Sequence, residues 1–115
     1  MSTPSSLRGP DVGPHDVMAA LDDPSILLLD VREPNEWVAG HAPGATHIPI
    51  GDLDPAAFDP ATPVIAICRS GNRSGMAADT LASAGIPVRN MAGGMNSWQA
   101  LGFPVTRDDG TPGTI

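Results

Sequence analysis

The sequence predicts an α/β fold with a central, mainly parallel β-sheet flanked by helices on both faces, and three observations carry that expectation. Two apolar runs, Ile26–Val31 and Val64–Cys68, lack the alternation of a half-exposed strand and read as strands buried on both sides. Segments with helical spacing lie between and after them, so strands and helices alternate along the chain. The 13 glycines and 13 prolines punctuate these segments and show no repeating period.

Gly13 and Pro14 open a first helix over His15–Leu21, with proline in its first turn and Val17, Met18 and Leu21 on one face. Asp22-Asp23-Pro24 stops it. After the strand Ile26–Val31, the stretch Glu33–Val38 suits a short helix closed by Gly40, Thr46–Ile50 a brief strand, and Asp52–Phe58 a turn or helical piece. Val64–Cys68 is the second long strand. Arg73–Ala84 makes the best helix, with Ala77, Leu81 and Ala84 at helical spacing and Gly85-Ile86-Pro87 ending it. Its small face permits close approach to a sheet. Val88–Met91 resembles a last strand and Met95–Leu101 a last helix, ended by Gly102. Parallel neighbours require right-handed crossovers, and ligands in such sheets bind beyond the carboxyl ends of the strands. Cys68 ends one strand, and Asp30 with Arg32 ends another.

A chain of 115 residues fits one domain of ordinary size. The start, Met1–Pro14, has no apolar core of signal-peptide length, and no stretch approaches the ~20 apolar residues of a membrane helix. A cytoplasmic protein is the resulting expectation, with no membrane partner. The net charge of −7 argues against nucleic acid as a partner, because phosphate neutralisation needs a basic face. Its distribution is uneven: residues 1–59 hold ten acids and two arginines, whereas residues 60–107 hold Asp79 against Arg69, Arg73, Arg89 and Arg107. The segment carrying the cysteine is thus locally positive, as a small-anion site requires.

Cys68 is the only cysteine. Free cysteine commonly behaves as a small buried hydrophobe. A core cysteine would sit inside the apolar run, however, and Cys68 stands at its exit, followed by Arg69-Ser70-Gly71-Asn72-Arg73-Ser74. A thiol between a strand end and a helix start faces N–H groups with no carbonyl partners of their own, and those donors stabilise an anion. The expected result is a thiol whose pKa lies below the ordinary ~8.5, at the mouth of a pocket lined by peptide hydrogens.

These residues resemble the rhodanese family. The matching pieces are Leu29-Asp30-Val31-Arg32 with Glu36-Trp37 and Gly40-His41; Pro43-Gly44-Ala45 leading to His47-Ile48-Pro49; Cys68 to Ser74; and Gly93-Gly94-Met95 with Trp98. They run in family order over roughly residues 12–104. The resemblance implies a rhodanese-like domain over 12–105, between a flexible segment 1–11 and a polar tail 106–115. It also implies a single-domain sulfurtransferase, of thiosulfate sulfurtransferase type, that needs no cofactor. Cys68 would take a sulfane sulfur from an anionic donor such as thiosulfate, become a persulfide, and pass the sulfur to cyanide or a thiol, including a thiol protein. Substrate-binding roles fall to Arg69, Ser70, Gly71, Asn72 and Arg73.

Asp30 and Arg32 are candidates for pocket support, although an ion pair at the strand end explains them more simply. His41 and His47 suit turn and packing roles, Trp37 and Trp98 core anchoring, and Gly93-Gly94 a turn that borders the pocket. With one cysteine and no suitable histidine spacing, metal ligation is not expected. Two other functions remain open: a non-catalytic sulfur carrier or redox-sensing module acting on a protein partner, and a cysteine phosphatase or arsenate reductase. The second suffers from loop length, since the phosphatases place five residues between Cys and Arg, whereas four separate Cys68 from Arg73.

Overall fold

A computed structural model describes residues 7–115. In chain order the elements are α1 (Pro14–Ala20), β1 (Leu27–Asp30), α2 (Pro34–Ala39), β2 (Thr46–His47), β3 (Val64–Ile67), α3 (Asn72–Ser83), β4 (Val88–Asn90) and α4 (Gly94–Ala100), with 3-10 turns at Ile50–Asp52 and Pro55–Ala57. The four strands form one parallel sheet in the order β2-β1-β3-β4. In register, Leu29 lies between Thr46 and Ala66, and Ala66 pairs onward with Asn90. The carboxyl ends of all four strands therefore meet at one edge.

Alternate residues of the buried strands feed two cores, as the pleat requires. On one face Leu29, Val31, Val64, Ala66 and Val88 pack with Ala77, Ala78, Leu81 and Ala82 of α3. On the other, Leu28, Ile65 and Ile67 pack with Val17 of α1 and with Met95 and Trp98 of α4. Burying a side chain such as Leu81 or Leu29 is worth about 1.5–3 kcal/mol. The indole N–H of Trp98 donates to the Pro104 carbonyl at 2.8 Å, so this buried aromatic leaves no polar atom unpaired.

Local differences from the sequence reading have physical causes. The brief strand expected over Thr46–Ile50 is assigned only over Thr46–His47. Ile48 N–H donates to Asp30 and Ile50 N–H to Val31, each at 3.0 Å, so the chain advances two residues here against one on β1 and the parallel register ends. The buried stripe of α3 is Ser74, Ala77, Ala78, Leu81 and Ala82, and the expected Ala84 is exposed. The chain has already left the helix there, and Gly85 at φ +92° turns it so that Ile86 N–H reaches the Leu81 carbonyl.

Of the segment 1–11 expected to be flexible, residues 1–6 lie outside the described residues and Gly9 N–H donates to Val88 at 2.9 Å, while just beyond it Val12 N–H donates to Asn90 at 2.9 Å. The polar residues 106–115 fold back as a hairpin: Thr106 bridges both His41 and Pro112, and Thr114 N–H donates to Ala39. Among the described residues no helix is long and apolar enough to cross a membrane.

Candidate active site

The shared edge of the strands brings His47, Asp30, Cys68 and Asn90 into one neighbourhood. Cys68 follows β3 directly, and the chain turns through Arg69, Ser70 and Gly71 into α3. Gly71 has φ +100°, a left-handed conformation that glycine adopts without strain.

Contacts with α4 fix the loop's orientation. The carbonyls of Cys68 and Arg69 accept from the N–H groups of Met95 at 2.8 Å and Asn96 at 2.9 Å. Across a planar trans peptide the carbonyl and the next N–H point in opposite directions, so tying the Arg69 carbonyl to α4 turns Ser70 N–H toward the thiol. Gly94 allows this contact: with φ +57°, it lies so close that a Cβ would stand 2.6 Å from the Arg69 carbonyl oxygen. The sequence identifies Gly93-Gly94 as a turn bordering the pocket, but nothing in it reveals which carbonyls the turn meets.

Donors converge on the sulfur. Gly71 N–H donates to Cys68 Sγ at 3.1 Å and the Ser74 hydroxyl lies 3.3 Å from it, both in donor geometry. Burial pushes the thiol pKa up, but the hydroxyl and amide of Ser74 with the amides of Gly71 and Ser70 more than offset this, and the thiol lies below its ordinary value. One part of the expectation fails: Cys68 is not at the mouth of a pocket. It has no accessible surface, because its side chain packs into the core cluster that the strands share with α3.

The flanking arginines differ. Arg69 is exposed and forms no ion pair among the described residues. Arg73 makes a two-pronged pair with Glu36 of α2, at 2.6 and 3.0 Å. That hydrogen-bonded pair holds the Glu36 carboxyl at a pKa of about 2 and raises that of Arg73. Arg73 thus ties the loop to α2 and remains near enough for the Cys68 charge to act on it. Ser70 and Asn72 are exposed on the loop.

Asp30 and Arg32 are both fully buried and paired, with Arg32 Nη2 2.9 Å from Asp30 and 2.7 Å from the Gly40 carbonyl. They join the end of β1 to the start of the next loop. His41 and His47 both stack nearly parallel to Trp37, with centroids 3.5 and 4.8 Å from it. His47 Nε2 also meets the Arg32 carbonyl at 2.7 Å. Among the described residues no cluster of three or more His, Cys, Asp or Glu could hold a metal ion.

Three contributors had no assigned role in the sequence reading. Ser74 and Glu36 stood inside the quoted motifs, so a polar residue one turn into α3 and an acid on α2 were the available signals. Asn90 gave none. Its side chain reaches Ser74 only because β4 pairs beside β3 in the observed register. A cavity opens at the opposite, amino end of the strands, lined by Leu7, Pro63, Val64, Pro87 and Val88. It is apolar and remote from the sulfur.

A family model described as a rhodanese-like domain matches residues 13–101. The chain is 33% identical to the thiosulfate:glutathione sulfurtransferase of Saccharomyces cerevisiae over 96 residues, covering 70% of this chain and 69% of that protein. It is 40% identical to the "Putative sulfur carrier protein YrkF" of Bacillus subtilis over 79 residues, covering 66% of this chain and 43% of that one. A crystal structure of a rhodanese-related protein from Thermoplasma volcanium superposes with a TM-score of 0.78 at 29% identity, covering 85% of this chain and 98% of the other. The chain spans 43%, 59% and 60% of the lengths of three curated relatives, YrkF, YqhL of Bacillus subtilis and an uncharacterized Synechocystis protein.

Proposed function

This chain belongs to the rhodanese-like domain family, and from that premise we propose that it is a sulfurtransferase carrying sulfane sulfur on Cys68. The observation that supports this most is the pair of donors, Gly71 N–H and the Ser74 hydroxyl, directed at one sulfur. A thiolate held this way is a nucleophile at neutral pH without a general base.

In the first half-reaction the Cys68 thiolate attacks the outer sulfur of thiosulfate. A new S–S bond forms at Cys68, the bond from that sulfur to the sulfonate breaks, and sulfite leaves with the electron pair. The product is an anionic persulfide. Its outer sulfur lies about 2 Å beyond Sγ, which carries the transferable atom outward from the covered position of Cys68. In the second half-reaction a thiolate or cyanide attacks that outer sulfur, and Cys68 regains its thiolate. Donor and acceptor use the same sulfur in turn, so the kinetics are ping-pong.

Arg69 is the exposed cation available to draw in the anionic donor. Arg73 contributes its charge at longer range, because its hydrogen bonds are committed to Glu36. That commitment, with the four-residue spacing, weighs against a phosphatase, which needs its loop arginine on the phosphate. A carrier reading has its own support in the buried position of Cys68 and the likeness to YrkF. It predicts slow turnover with small acceptors and rapid transfer to a particular protein thiol.

Intact mass spectrometry after thiosulfate treatment tests the common step. A gain of about 32 Da, the mass of one sulfur atom added covalently, is expected on Cys68 and is removed by cyanide. Cys68→Ser should gain nothing. A substituted chain that retains full turnover refutes the assignment.

A further inference from the structure

The hydroxyl of Ser74 has one proton and two acceptors within reach. It lies 3.3 Å from Cys68 Sγ and in a short hydrogen bond to Asn90 Oδ1. One hydroxyl proton cannot serve both. All three side chains are buried, Ser74 and Cys68 completely and Asn90 to within 4%, so water does not readily supply the missing proton.

The orientation of the Asn90 amide decides which group competes. Its Nδ2 lies 3.3 Å from the Gly71 carbonyl and 3.5 Å from Asp11 Oδ2, two groups that only accept. Turning the amide over would set oxygen against oxygen at both. The amide nitrogen therefore faces Gly71 and Asp11, and Oδ1 faces Ser74. While Cys68 is a thiol, every group is satisfied: S–H donates to Ser74 Oγ and Ser74 O–H donates to Asn90. When the thiol gives its proton to solvent base, the sulfur becomes an acceptor. The Ser74 proton must then turn to it and leave Asn90 Oδ1 without a donor.

We propose that Asn90 is a positioning residue that competes with the Cys68 sulfur for the single Ser74 proton, and so limits how far the loop favours the thiolate. This deepens the proposed function, because it concerns the same thiol. It differs from a simple clamp. By holding the Gly71 carbonyl, Asn90 also steadies a residue whose N–H donates to the sulfur, so plain loosening of the loop would disfavour the thiolate. Competition for the proton acts in the opposite sense. The charged groups around the pair are Arg73 from α3, with Glu36 of α2 bonded to it, Asp11 beside Asn90, with Arg8 bonded to it, and Arg69 on the loop.

A double-mutant cycle separates the two effects. The pH midpoint of Cys68 alkylation by iodoacetamide would be measured in the full chain, in Asn90→Leu, in Ser74→Ala and in the double variant, with urea unfolding as a control for folding. Loop loosening and changes to Asp11 occur in both backgrounds and cancel in the difference. The thiolate-to-thiol ratio should respond to Asn90→Leu at least threefold more favourably when Ser74 is present than when it is replaced by alanine. Equal responses, or a less favourable one with Ser74 present, overturn the proposal. Should Asn90→Leu fail to fold, Asn90→Asp in the same two backgrounds provides the test. A stronger acceptor must disfavour the thiolate more with Ser74 than without it, and equal responses again overturn the idea. Alkylation requires no sulfur donor or acceptor, so failure here is distinct from failure of persulfide formation.

Discussion

Glu36 and Arg73 show how a single ion pair can brace a loop from the side. The pair removes one arginine from direct contact with the donor and fastens the start of α3 to α2. Its pH dependence has a definite sign. The Glu36 carboxyl is depressed from 4.5 to about 2 in the folded protein, so its contribution is complete above pH 4.5 and disappears as pH falls through 2. Partial exposure limits the size to ~1 kcal/mol. Urea unfolding of Glu36→Gln should therefore show a loss of that order at pH 7, shrinking as the pH falls toward 2. A loss that does not change with pH contradicts the assigned pairing. Of the residues around the sulfur, Cys68, Gly71 and the two arginines were legible in the sequence because strand end, glycine and local charge coincide. The partner of Arg73 was not, since Glu36 lies 37 positions away and only the fold brings it close.

At the scale of elements, the loop takes its shape from what lies behind it. The first turn of α4 receives the carbonyls of Cys68 and Arg69, and α3 starts from the left-handed Gly71. Gly94→Ala would push a methyl against Cys68 and Arg69 and place alanine at φ +57°. The expected cost is about 1–3 kcal/mol from overpacking, together with a rise in the alkylation midpoint of Cys68 as the Ser70 amide turns away. Stability loss with an unchanged midpoint would show that α4 braces the fold but does not aim the loop. The helices and buried strands were legible because long apolar runs and Gly/Pro boundaries are local signals. The shortening of β2 and the exposure of Ala84 were less so, since both depend on where hydrogen bonding stops. The folding back of residues 106–115 onto Gly40 and His41 was hidden for a related reason. A polar segment held by backbone pairing carries no apolar pattern to reveal it.

Across the whole molecule, the site exists only when distant parts of the chain are folded together. β3 delivers Cys68, α3 supplies Ser74, α4 orients the loop, β4 brings Asn90, and the buried Asp30–Arg32 pair locks the end of β1 beside them. Parallel order was legible from the alternation of strands and helices, but the register that sets Ala66 beside Asn90 was not. In the unfolded chain these donors disperse and Cys68 reverts to an ordinary thiol near ~8.5. A depressed thiol in the native state adds stability that is complete above the unfolded midpoint and is lost as pH falls through the native one. The most direct test is a titration of thiolate ultraviolet absorbance in the native protein and again in the urea-unfolded protein. The native midpoint should lie below the unfolded one, and a native midpoint equal to it or higher would contradict the donor-lined sulfur on which the function rests.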